Sequence, residues 1–241
     1  MTPINITLPP LKKGRLIARP NRFLAQIDLK GKEILAHVAD PGRLKELLFP
    51  GAEVYVAAAA NPNRKTAFDL KLVKGQEVLV SVDSGVPNRL AKLALHAGAW
   101  PTFKGYDSIK AEPRYNRSRF DFLLQGQDKP DCYIEVKGCT LVEDGVALFP
   151  DAPTLRGARQ VGELTELMGQ GARAAVIFII QRQDAVLFRP HTQMDPAFSQ
   201  ALYQAQAAGV EVLAYRCSVT ETEIGLDMPV KTIHIATKEH L

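Results

Sequence analysis

No part of this sequence approaches the roughly eighteen consecutive apolar residues that span a bilayer. The longest run, Ala174 to Ile180, reads as one buried strand, so no membrane partner is expected. The first six residues carry no positive charge ahead of an apolar segment, and a cytoplasmic protein without a secretory signal is expected. Cysteine is scarce. Cys132, Cys139 and Cys217 are odd in number and lack metal-ligand spacing, which points to reduced thiols packed in strands. Five histidines, at 37, 96, 191, 234 and 240, are scattered and give no zinc pattern. The glycines between Gly157 and Gly171 lack the spacing and strand order of a dinucleotide loop.

What is present is ordinary globular material: 46% apolar and 23% charged residues in 241, enough for one large domain or two modest ones. The charge is distributed unevenly. Residues 1–80 hold 13 Lys and Arg against 7 Asp and Glu, residues 81–120 hold 7 against 3, and residues 121–241 hold 10 against 16. A basic first half suits either a polyanionic partner, whose counterions are released on binding, or a solvated surface.

From residue 14 to 81, short apolar runs alternate with turn signals, the pattern of a small all-β unit. Strands are predicted at 16–18, 23–27, 34–37, 54–56, 70–73 and 78–80, with a short helix over Arg43–Leu48 between Asp40-Pro41-Gly42 and Pro50-Gly51. This predicts an OB-like β-barrel over residues 1–82, a common nucleic-acid binder. Its densest basic segment is Lys12, Lys13, Arg15, Arg19 and Arg22, next to Phe23, which serves either as a stacking face or in the core. Arg43 after Pro41-Gly42 either reaches a phosphate or only follows a turn.

A second domain is predicted over residues 83–241. Its elements are a helix capped by Asn88, strands near 108–112, at Asp121, at Glu135 and at 146–149, a helix from Thr154, a strand at 174–180, a helix at 196–208 and a strand at 210–215. That order gives a mixed sheet with helices on both sides, and an α/β (α+β overall) fold class.

Ser118-Arg119-Phe120-Asp121-Phe122 and, fourteen residues after the Asp, Glu135-Val136-Lys137 carry the chemistry. On a strand Glu135 and Lys137 share one face and Val136 takes the other. With the Asp121 strand as hairpin neighbour, the two carboxylates meet across the ladder and would repel without a cation between them. Mg²⁺ or Mn²⁺ suits two hard oxygen ligands, and Lys137 would orient a water or offset developing charge, as phosphodiester hydrolysis requires. Glu-x-Lys alone also describes a solvated strand or a cross-strand ion pair. Further candidates are Glu112 as another carboxylate, Asp151 as a metal ligand or a helix cap, and Arg156 with Gln160, four apart on one helix face and able to reach a phosphate.

In these stretches, together with Pro130 to Lys137, Phe149-Pro150-Asp151-Ala152, Arg156-Gly157 and Val210 to Tyr215, the chain resembles the sugar fermentation stimulation protein A family over almost its whole length. The resemblance implies an OB-like domain joined to a restriction-endonuclease-like PD-(D/E)xK domain, DNA binding of little sequence preference, and a regulatory role in sugar metabolism, notably of maltose. It makes Asp121 and Glu135 metal ligands and Lys137 the catalytic lysine. Many members carry His where this chain has Gln160, so hydrogen bonding rather than proton transfer is expected there. A metal-dependent nuclease whose DNA contacts include Lys12, Lys13, Arg15, Arg19, Arg43, Arg119, Arg156 and Gln160 is the expectation, with a non-catalytic DNA-binding regulator as the alternative.

Overall fold

A computed structural model describes residues 3–61 and 63–233; His234 and His240 lie outside the described residues. After a three-residue strand, β1 (Asn5–Thr7), the alternating apolar pattern builds β2 (Leu11–Asn21), β3 (Leu24–Leu29), β4 (Lys32–Val38), β5 (Glu53–Ala58) and β6 (Phe68–Lys74). These five pair in the order β4-β3-β2-β5-β6, and a parallel pairing of β4 with β6 closes the OB-like barrel. Closure demands a close approach at Gly14, where a β-carbon would lie 2.7 Å from the carbonyl oxygen of Asp28. Leu16, Ile27, Val54, Val56 and Leu70 fill the interior. A short strand, β7 (Leu79–Ser81), pairs antiparallel beside β6 and leads out of the barrel.

Residues 43–48 form a single turn rather than the predicted helix. Leu44 has φ +47°, incompatible with a helix, and Leu48 N–H closes the turn on Leu44 O at 2.7 Å. The helical spacing of Leu44, Leu47 and Leu48 was a packing signal, since all three are buried against the barrel. Arg19 organises the loop before this turn: its guanidinium donates to the backbone carbonyls of Arg22, Asp40, Gly42 and Arg43. Arg19→Ala is therefore expected to destabilise the protein by about 1–3 kcal/mol, because loop acceptors lose charge-assisted bonds. Urea unfolding measures this, and Arg19→Lys, lacking the planar fork, should rescue little of it.

The second unit continues with α1 (Val86–His96), β8 (Ser108–Ala111), β9 (Arg114–Tyr115), β10 (Ser118–Arg119), β11 (Phe122–Gly126), β12 (Lys129–Cys139), β13 (Val142–Glu143), β14 (Val146–Phe149) and α2 (Leu155–Gly169). Then follow β15 (Arg173–Ile180), β16 (Leu187–Pro190), α3 (Pro196–Ala207), β17 (Glu211–Val219), β18 (Glu223–Pro229) and β19 (Lys231–Thr232). The main sheet has the order β1-β18-β17-β15-β12-β11-β8, parallel across β12-β15-β17 and antiparallel elsewhere. The apolar run of β15 explains its central place, since both its faces are covered. Ala175, Ile177 and Ile179 pack with Leu90 and Ala94 of α1, whereas Val176, Phe178 and Ile180 pack with Leu164 of α2 and Phe198 of α3. The strand predicted at 146–149 exists as β14 but belongs to a separate small sheet with β13, β16 and β19.

Two differences from the sequence reading affect the site. Residues 5–7, grouped with the barrel by sequence, pair with β18 at the edge of the main sheet, and Ile4, Ile6 and Leu8 are buried in that sheet's core. Helix α1 begins at Val86 with Gly85 at its N-cap, not at Asn88, because Pro87 suits the first turn, where its missing N–H costs nothing. The barrel meets the second unit through Ser81 N–H to Gln181 O at 3.0 Å and Arg43 N–H to Asp151 Oδ2 at 2.9 Å.

Candidate active site

Strand β12 presents Glu135 and Lys137 on the α2 side of the sheet, while Ile134 and Val136 enter the core on the α1 side. Asp121 sits in the bend between β10 and β11, one residue before the Phe122–Ile134 pair, and so reaches the level of Glu135 without being a strand residue itself. Its backbone N–H bonds Ile134 O at 3.1 Å. Its carboxylate replaces the missing ladder partner: Oδ2 accepts from Val136 N–H at 2.7 Å, and Oδ1 accepts from Asn88 Nδ2 at 2.7 Å.

Asn88, read from sequence as a cap, is thus a site residue. It reaches Asp121 because α1 lies close on β12, where Gly138 offers no side chain; a β-carbon there would lie 2.9 Å from Pro87 Cγ. A glycine directly after Glu-x-Lys was the signal available in the sequence.

Glu135 is buried, and Lys137 Nζ donates to its Oε1 at 2.6 Å and to Gln160 Oε1 at 2.8 Å. Two buried atoms remain without a partner, the acceptor Glu135 Oε2 and the donor Gln160 Nε2. Burial pushes the Glu135 carboxyl up to about 7, with Lys137 opposing and Asp121 adding to the rise. Burial also raises Asp121, opposed by its bond from Val136 and by the charges of Lys137 and Arg156. Arg156, exposed in the first turn of α2, therefore acts on both carboxylates through its field.

These residues fit a divalent cation. A buried carboxylate oxygen with nothing to bond, beside a second carboxylate whose oxygens each keep lone pairs, is the environment of a hard-metal ligand pair. Among the described residues no group of three or more His, Cys, Asp and Glu side chains gathers around a common point, so a cation here would have Asp121 and Glu135 as its acidic neighbours. Mg²⁺ commonly binds through one or two carboxylates, with water and phosphate completing its shell.

Other candidates lie elsewhere. Glu112 is exposed, has φ +53° and pairs with Arg119 at 3.4 Å, so it does not join the two carboxylates. Asp151 does not cap α2, whose N-cap is Thr154 with its hydroxyl bonded to Gly157 N–H; Asp151 instead accepts from Arg43 N–H. Lys13 pairs with Glu53 at 2.7 Å, Lys12 lies over the Phe68 ring, and Arg15 donates to Gly51 O, all on the barrel wall. Phe23 is exposed with the Arg22 guanidinium 4.9 Å above its ring, so it is not a core residue. No helix among the described residues is long and apolar enough to cross a membrane.

Comparison with known proteins agrees with this architecture. Residues 17–82 match a family model described as the SfsA N-terminal OB domain, and residues 85–223 one described as the sugar fermentation stimulation protein RE domain. A sugar fermentation stimulation protein homolog from Moorella thermoacetica is 50% identical over 221 residues, covering 91% of this chain and 95% of its own length. Homologs from Desulforamulus reducens and Shewanella baltica are 46% and 43% identical, covering 92% and 90% of this chain and 92% and 95% of their own. Among solved structures, Pyrococcus furiosus SfsA in complex with Ca²⁺ superposes with a TM-score of 0.87 at 28% identity, covering 95% of this chain and 98% of its own.

Proposed function

The chain belongs to the sugar fermentation stimulation protein family, and we propose that it binds DNA and hydrolyses phosphodiester bonds with Mg²⁺ or Mn²⁺ held by Asp121 and Glu135. The observation that carries this reading is the buried, unpartnered Glu135 Oε2 next to Asp121, with Lys137 bonded to the other Glu135 oxygen. Solution of the Pyrococcus furiosus relative in complex with Ca²⁺, another oxygen-seeking divalent cation, supports a cation site.

When bound, the metal supplies Lewis-acid polarisation of a phosphoryl oxygen and a water of lowered pKa. The residues do the rest. Val136 N–H and Asn88 fix the orientation of Asp121, so a ligand oxygen is positioned before substrate arrives. Lys137 has three N–H donors and uses two, on Glu135 and Gln160; the third is available to the attacking water or to a non-bridging oxygen as charge develops. Gln160 Nε2 is a second donor held beside it, and Arg156 adds positive field. Gln160 accepts and donates hydrogen bonds but carries no proton between groups.

The test is cleavage of labelled DNA and RNA, single- and double-stranded, by purified protein with Mg²⁺, Mn²⁺ or EDTA. Metal-dependent cutting of DNA that drops at least about a hundredfold in Lys137→Met is expected, from the loss of one charged donor. Because no group of three or more ligating side chains gathers among the described residues, a second reading is a DNA-binding regulator that holds DNA without cutting it. Salt-sensitive binding with no cutting under either metal would establish that reading.

A further inference from the structure

Two cationic clusters lie outside the catalytic pair. The first is the β9–β10 ribbon. Its register places Arg114 directly opposite Arg119, where like charges destabilise a strand pair, and Arg117 stands in the connecting turn. The three arginines surround a hollow of about 320 Å³. Among the described residues only Arg119 has an acidic partner, the exposed Glu112 at 3.4 Å. Such a pair contributes little in water. The second cluster is on the barrel, where Arg22, Arg43 and Lys45 line an open trough of about 640 Å³ into which no carboxylate projects. The trough runs over Pro41 and Gly42 into an inner cleft of about 340 Å³ that reaches Gly138 and Thr154 and is itself lined by Asp40 and Asp151, so the cationic surface ends at the outer trough.

Helix α2 runs from the cleft, past the site, to the ribbon. Its N-cap, Thr154, lines the inner cleft; Gln160 bonds Lys137; Glu166 accepts from Asn116 in the ribbon turn. At 1.5 Å rise per residue the three stations are spaced about 9 Å apart along the helix axis, on different sides of the helix. Measured along the axis, the catalytic pair therefore lies between the cleft that opens into the barrel trough and the ribbon, about 18 Å apart, a span of about five phosphates at about 3.4 Å rise each along one strand of a duplex.

We propose that the DNA strand passes the site from one cluster to the other: the Arg114, Arg117 and Arg119 ribbon holds backbone phosphates on one side of the scissile bond, and Arg22, Arg43 and Lys45 hold them on the other. Arg22 stacked on exposed Phe23 gives the barrel end a flat face on which a base can rest. The track bypasses the barrel wall carrying Lys12, Lys13 and Arg15. The inference rests on the nucleic-acid reading above but not on cleavage.

The experiment measures binding of single-stranded and duplex DNA oligonucleotides to the full chain in EDTA across a salt series, then cutting in Mg²⁺ and Mn²⁺. It compares wild type with Arg114→Ala/Arg117→Ala, Arg22→Ala/Arg43→Ala and Lys12→Ala/Lys13→Ala/Arg15→Ala. All substituted side chains are exposed, and circular dichroism confirms that each variant folds. Each of the first two variants is expected to weaken binding about tenfold and to flatten the slope of log K against log salt by about 1.5, the effect of two lost phosphate contacts. The third is expected to stay within about twofold of wild type. Equal or greater loss in the third variant, wild-type binding by the first two, or no DNA binding by the wild type at low salt would overturn the track. The expected binding pattern without cutting leaves the track standing and removes the nuclease; cutting undiminished in the first two variants does the reverse.

Discussion

Glu135→Gln is expected to abolish metal-dependent cutting and, at pH 8 without metal, to stabilise the protein by about 3 kcal/mol. The carboxyl is raised from its usual 4.5 to about 7 mainly because burial penalises its charge. Below about pH 4 it is protonated in folded and unfolded chains alike, and its contribution to stability is fully present. As pH rises through 7, the folded protein must hold an anion that the unfolded chain keeps in water, and that contribution disappears. Gln is neutral throughout and still offers Lys137 an acceptor. The melting temperatures of wild type and variant should therefore coincide near pH 4 and separate by about 8 °C at pH 8. Mg²⁺ or Mn²⁺ should raise the wild-type melting temperature at pH 8 and leave that of the variant unmoved. Calorimetry over that pH range decides it; a variant less stable than wild type at pH 8 would mean that Lys137 already compensates the buried charge.

Asp121 separates architecture from chemistry in a second pair of variants. In Asp121→Ala the buried Val136 N–H loses its acceptor and Asn88 its partner, at an expected cost of about 1–3 kcal/mol. In Asp121→Asn the amide oxygen still accepts from Val136, and Asn88 can rotate its own amide to present an oxygen to the new NH₂ group. Stability should then stay within about 1 kcal/mol of wild type. Both variants lack the ligand charge, and both should lose at least about a thousandfold in cleavage rate, the several kcal/mol of stabilisation that a bound metal provides. Urea unfolding beside a cleavage assay reads the two effects separately. Retained cutting in Asp121→Asn would remove Asp121 from the ligand set.

The parts legible in the sequence were those written locally. Period-two alternation placed the barrel strands, the seven-residue apolar run marked β15 as a buried strand, and Glu-x-Lys placed two side chains on one face. What stayed hidden depended on distant partners. Three residues at 5–7 carry too little pattern to reveal that they pair with 223–225 rather than with the barrel. Asn88 looked like a cap because its role exists only once Pro87 lies on Gly138. Leu44, Leu47 and Leu48 have the spacing of a helix, but their burial against a curved barrel end selected a single turn. Arg19 reads as one more cation in a basic segment, and nothing nearby in the sequence shows the carbonyls its guanidinium gathers.

The β1–β18 pairing also imposes an order on biosynthesis. Asn5 emerges from the ribosome about 220 residues before its partner Gly225, which at about 5–20 residues per second is a delay of about 10–40 s. Throughout that interval the barrel can close on contacts entirely within residues 11–81, while β1 lacks the β18 edge to which it pairs. The segment at residues 4–8 is thus made long before its strand partner, and a nascent chain paused before residue 223 carries a finished barrel with β1 still unpaired.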